Sequence, residues 1–269
     1  MRQFFGKYRG KVTSTKDPMH LGRVQVQVPA IFGEGRHSWA MPCTPYAGQD
    51  IGLFMVPPVN TNIWVEFEGG DPDYPIWSGC FWGDQELPMA ARVEKPEEVQ
   101  VFRTAGVTLT VSRKDKQQGI ILEVNRPVVD EPLKLIYNPA GIELNHNNRM
   151  TAKFITDGQT LELKNGDTST VTLTTDKIQL QQTAVEAVLT SNSIDLTCNP
   201  ATIKLSTASG IELANSPATA KLSSSGIELS TTPAQVKVSP GAIELSNSAA
   251  NVKLSPASVN VNNGALEVI

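Results

Sequence analysis

Residues 193–254 read SIDLTCNPATIKLSTASGIELANSPATAKLSSSGIELSTTPAQVKVSPGAIELSNSAANVKL, and one short phrase recurs through them. An apolar–charged–apolar triplet begins at Ile194, Ile203, Ile211, Ala220, Ile227, Val236, Ile243 and Val252, and its pattern continues at Val259 and Leu266. Earlier copies start at Ile142, Leu161, Val171 and Ile178. The starts are spaced mostly nine, then seven residues apart, about eight on average. Ser, Thr, Asn, Pro, Gly and Ala fill the intervals, and these are turn residues. Each repeat is therefore a very short strand and a corner. Alone it cannot bury its apolar side, so the repeats must stack.

The middle residue of the triplet alternates in sign: Asp195, Lys204, Glu212, Lys221, Glu228, Lys237, Glu244, Lys253. In a strand that residue points away from its two apolar neighbours, outward over an apolar interior. Two architectures can use this. A monomeric two-sided solenoid with a coil of about 16 residues stacks acid over acid and lysine over lysine, which is unfavourable. An intertwined trimer, each repeat advancing a third of a turn, places Glu and Lys from different subunits side by side. The alternation favours the trimer, with Lys204, Glu212, Lys221, Glu228, Lys237, Glu244 and Lys253 as an inter-subunit charge ladder. The alternating corner lengths are not explained by threefold winding, and they keep the solenoid open. Interleaving leaves ladder groups exposed only at the end of the stack, Ala265, Leu266, Glu267, Val268 and Ile269, which needs a cap supplied by another protein.

Towards the N-terminus the grammar changes. Residues 1–88 hold all four tryptophans, Trp39, Trp64, Trp77 and Trp82, and irregular strand signals. GRVQVQV (22–28) and NIWVEFE (62–68) alternate with period two, and Pro29 ends the first. Several short strands with one buried face each predict a small barrel. Residues 89–132 form a linker rich in Pro, Glu, Lys and Arg, then a hairpin neck, with strands at 107–111 and 120–124 around RKDKQQG. Residues 133–269 are the repetitive part. The fold class is all-β.

The net charge of -4 and pI near 5.5 give no electrostatic footprint for nucleic acid or an anionic membrane. Cys43, Cys80 and Cys198 are odd in number and far apart, which suits a reducing compartment rather than a disulfide framework. The start MRQFFGKYRGK is no signal peptide, so synthesis and folding in the cytoplasm are expected.

GRVQVQVP (22–29), WAMP (39–42) and above all PPVNTNIWVEFEGGDPDYPIWSG (57–79) resemble the OB-fold domain of phage baseplate assembly protein V, shared by VgrG proteins and the spikes of extracellular contractile injection systems. The motif stands here as Pro58, Val59, Asn60, Ile63, Val65, Phe67, Gly70, Asp71, Pro72 and Pro75, with Asn60 in place of the usual glycine. The resemblance implies an OB-fold barrel followed by an intertwined trimeric β-helix. It implies a structural spike that links a baseplate hub to a PAAR-like tip protein and transiently punctures a target membrane, as part of an injection particle. It implies no enzyme and no cofactor. There is no room for a lysozyme domain between barrel and repeat, and no fused hub region. The alternative is an OB barrel that binds carbohydrate or single-stranded nucleic acid on a β-solenoid stalk.

Chemistry-bearing groups are sparse. His20, His37 and His146 lack any ligand spacing. Asp71 and Asp73 fit a self-bonded turn better than a calcium loop. GEGR (33–36) lacks the Lys-Ser/Thr of a phosphate loop, and no GxSxG elbow accompanies the serines. The tryptophans are expected in the barrel core.

Overall fold

A computed structural model describes residues 2–115 and 117–268, in two compact units, residues 1–92 and 93–269. In the first unit, β1 (Tyr8–Ser14), β2 (Val24–Gln27), β3 (His37–Pro42), β6 (Asn62–Phe67) and β7 (Pro75–Cys80) close a barrel in the order β1-β2-β3-β7-β6. The short pair β4 (Ala47–Gly48) and β5 (Ile51–Gly52) lies in the excursion between β3 and β6. The alternation read from the sequence sets the core. Val24, Val26 and Val28 are fully buried, as are Ile63 and Val65, while Gln25 and Gln27 face out. Pro29 ends β2 and opens a one-turn helix, Pro29–Phe32, whose first position suits a residue without an N–H. Phe32, Phe4 and Tyr8 converge on Phe67, with centroids 5.6–6.3 Å apart.

The tryptophans divide differently from the core expectation. Only Trp77 is buried with the valines. Trp64 lies on the outside against Phe81 at 4.7 Å, and the Arg9 guanidinium covers both rings. Arg23 covers Trp39, and Trp82 is exposed. Cation–π cover lets a large ring sit on a small barrel's surface with part of its face shielded from water.

The loop from β1 to β2 is tied by one carboxylate. Asp17 Oδ1 accepts hydrogen bonds from the Met19 N–H and from Arg23 Nε and Nη2, the last at 2.7 Å; Oδ2 accepts from the Leu21 and Arg23 N–H groups. The Arg23 guanidinium first, then these backbone donors, hold the Asp17 carboxyl well below the usual carboxylate range. A depressed pKa gives stability that is full above about pH 4, the unfolded value, and is lost as the pH falls from there through the folded value. Asp17→Asn is expected to remove that part of the acid sensitivity. Tryptophan fluorescence reports the barrel alone, so unfolding of wild type and variant at pH 7 and pH 3 checks it. The two proteins should differ most at pH 7, and the gap should be narrower at pH 3 without closing, because the folded carboxyl is still ionised there.

The second unit is one antiparallel sheet of twenty strands, β8 (Val99–Arg103) to β27 (Leu266–Val268). The expected neck hairpin is there, β9 (Val107–Ser112) with β10 (Gly119–Val124), as part of this sheet. Every later strand pairs with its neighbours in sequence, as in β20 (Gly210–Asn215), β21 (Ala218–Ser223), β22 (Gly226–Thr231), β23 (Ala234–Ser239) and β24 (Ala242–Asn247). Two-residue turns, such as Ser216-Pro217 and Ser224-Ser225, join six-residue strands.

This pairing explains the nine-then-seven spacing. In an antiparallel pair the third residue of one six-residue strand faces the fourth of the next: Glu212, third in β20, faces Lys221, fourth in β21. The triplet must shift one place forward, then one place back, around a mean repeat of eight. The spacing is the signature of a hairpin meander.

Candidate assembly interface

The meander sorts its side chains onto two faces. On one, Asp195, Lys204, Glu212, Lys221, Glu228, Lys237, Glu244 and Lys253 lie directly opposite one another in an unbroken ladder. Lys221 reaches Glu212 at 3.4 Å and Lys253 reaches Glu244 at 2.7 Å. Gln235 Nε2 donates to Glu228 Oε1 at 2.7 Å. This corrects the expected inter-subunit ladder: neighbouring charges come from successive strands of the same chain. Antiparallel reversal brings alternate signs together without a second subunit, a route that neither the solenoid nor the threefold winding had offered. Each exposed pair contributes ~0.2–1 kcal/mol, so the ladder's value lies in register more than in stability.

The opposite face is apolar along its length and open. Ile211, Leu213, Ile227, Leu229, Ile243 and Leu245 are each 40–48% exposed in the single chain, while the acids across the sheet are half-buried. Leu135, Leu144, Leu163, Val171 and Leu180 line a trough on the same face in the earlier strands. A continuous apolar sheet face of this extent marks an interaction surface.

Four positions that begin strands, missed in the sequence reading, hold this geometry. Gly119, Gly141, Gly210 and Gly226 have φ between +83° and +136°, and a Cβ on any of them would sit 1.8–2.1 Å from a carbonyl oxygen of an adjoining strand. The signal was the recurring G-I-E-L at 141, 210 and 226.

At the end of the sheet, Leu266–Val268 pairs with Val259–Val261. Leu266 and Val268 are well exposed. Ala265 lies in the preceding turn, the Glu267 backbone belongs to the strand, and Ile269 lies outside the described residues.

In the barrel, Gly70 has φ of 81° and its missing Cβ makes room for the Phe5 ring. Asp71 accepts the Asp73 N–H at 3.0 Å, closing its own turn, and Asp73 pairs with Arg36. Asn60 takes φ of 73°, so the left-handed turn survives the loss of glycine. Pro75 is buried at the start of β7. These motif residues shape a loop rather than a reactive centre. The excursion before β6 adds something the sequence reading passed over: Tyr46, Leu53, Met55 and above all Phe54, 80% exposed. Its signal was a run, 39–59, in which Asp50 is the one charged residue.

Comparison with known families gives two matches. Residues 8–82, the barrel, match the type VI secretion system/phage-baseplate injector OB domain. Residues 203–267, which take in the last nine strands of the sheet, match the phage baseplate V C-terminal trimerisation domain. The chain belongs to the phage baseplate V family. No curated protein matches it. For a baseplate V chain the open face has a ready occupant, because the second matched domain is one that trimerises. The trimer therefore stands on that domain and on the uncovered leucines, and no longer on the sign of the charges. A baseplate spike is the part these two domains support.

Proposed function

We propose that this chain is the central spike of a contractile injection machine, a trimer that links a separate hub protein to a PAAR-like tip protein and punctures the target envelope. It is made in the cytoplasm and acts in the particle as a mechanical part, without catalysis. The observation that carries the reading is the apolar face, open in one chain and backed by an unbroken charge ladder on the opposite face. Three such faces turned inward form a closed stalk with a charged exterior, which suits axial load. The hub is met by the charge-poor excursion around Phe54, and the tip protein by the end that carries the exposed Leu266 and Val268. Against the carbohydrate or nucleic-acid alternative, Arg9 already covers the Trp64 and Phe81 faces on which a sugar or base would stack.

The mass in solution tests the reading. Native mass measurement is expected to give three copies, and an unboiled detergent gel a band that stays trimeric, since a large buried interface dissociates slowly. A monomer in dilute buffer refutes the spike.

A further inference from the structure

A repetitive interface has a problem of its own: three identical chains can align in more than one way. Shift one chain by two strands within residues 193–254 and most columns of its apolar face repeat themselves. Ile194, Ile211, Ile227 and Ile243 exchange places, as do Leu196, Leu213, Leu229 and Leu245, and Ala201, Ala218, Ala234 and Ala250. On the other face Glu212, Glu228 and Glu244 exchange, as do Lys204, Lys221, Lys237 and Lys253. A slip there costs the overhang at the two ends and the exchange of Ile203, Ala220, Val236 and Val252 among one another, all of them aliphatic. Near-degenerate packings of this kind are what produce several trapped assemblies instead of one.

The earlier strands lack this degeneracy. On the same apolar face, Tyr137 and Phe154 stand in the column that is otherwise Ile, Leu or Val. Along the edge column His146, Met150 and Gln182 replace the later alternation of alanine with small polar residues. A two-strand shift here would set Phe154 where Leu173 belongs, and Met150 where Ser169 belongs. Both aromatic rings are more than half exposed in the single chain, so their volume is offered to other copies.

We infer that Tyr137, His146, Met150, Phe154 and Gln182, which lie outside the matched trimerisation domain, set the register in which three copies of this chain align. The occupant of this surface is a second and third copy of the same segment, and the inference rests on the trimeric reading above. Residues 203–267 then supply adhesion, and residues 133–189 supply alignment. The bulky residues act as keys, as single irregular positions do in helical bundles.

The test is a levelled full-length chain, Tyr137→Leu, His146→Asn, Met150→Ala, Phe154→Leu and Gln182→Asn, which extends the repeat's own residues upstream and so keeps the sheet pattern. Light and isotope-heavy chains are mixed, unfolded, refolded and joined by a carbodiimide, and light-to-heavy Lys–carboxylate links are mapped. Wild type is expected to give one set of inter-chain links. The levelled chain is expected to give trimers with a second set displaced by about 16 residues, at least fivefold above wild type. A conservative control, Tyr137→Phe with Phe154→Tyr, should keep the single set. Levelled trimers with one undisplaced set would overturn the inference and assign alignment elsewhere. Absence of inter-chain links in wild type would overturn the trimer itself, a separate failure.

Discussion

Replacing Leu213 and Leu229 together by aspartate is expected to abolish the trimer. Both side chains are nearly half exposed in the single chain, and neither is needed to close a hydrophobic core within it. A reading confined to one chain therefore makes the change almost harmless. In a trimer with its apolar faces inward the same change acts six times. Each leucine forfeits ~1.5–3 kcal/mol of burial, and each carboxylate must either stay hydrated, forcing the faces apart, or be buried at several kcal/mol. The sum is on the order of 20 kcal/mol or more per trimer, beyond what an assembly of this size can absorb. Sedimentation should show monomers or disordered aggregates. Glu228→Gln, on the opposite face and beside Gln235, should leave the trimer intact. If the aspartate protein still sediments as three copies, the apolar face is not the interface.

Much of this was legible in the sequence, and the failures have one cause. Period-two alternation tells which way a side chain points, and it located Val24, Val26 and Val28 in the barrel core and the strands at every triplet. It does not tell which strand lies alongside. The charge signs at Glu212 and Lys221 fit any architecture that sets opposite charges side by side. The information that pairs each strand with its neighbour in sequence lay in the nine-then-seven spacing, because antiparallel reversal requires the triplet to shift within its strand. The tryptophans misled for a related reason. Bulk and apolarity predict burial, but Arg9 and Arg23, distant in sequence from Trp64 and Trp39, supply cover that no local pattern announces. The Asp71 turn was readable because its bond partner, Asp73, is two residues away.

Gly226→Ala should damage the sheet severely. The residue opens β22 at φ of 136°, a backbone that L side chains rarely adopt, and its Cβ would lie 1.9 Å from the Val238 carbonyl oxygen and 3.0 Å from the carbonyl carbon. The obstructing atoms are backbone of β23, held in the ladder opposite Ile227 and Glu228, so neither can swing aside like the end of a side chain. Left-handed strain and a backbone clash together cost about 3–5 kcal/mol per chain. A trimer bears the cost three times. Thermal unfolding followed by circular dichroism should show a large fall in the melting temperature or loss of the trimer at ordinary temperature. The neighbouring repeat provides the control. Ala242 begins β24 in the corresponding place, and it is not among the residues with positive φ. Ala242→Gly should cost no more than about 1 kcal/mol, the entropic penalty of a glycine. Equal effects of the two substitutions would mean that the strand-leading glycines reflect composition alone, and the meander's geometry would lose its most specific constraint.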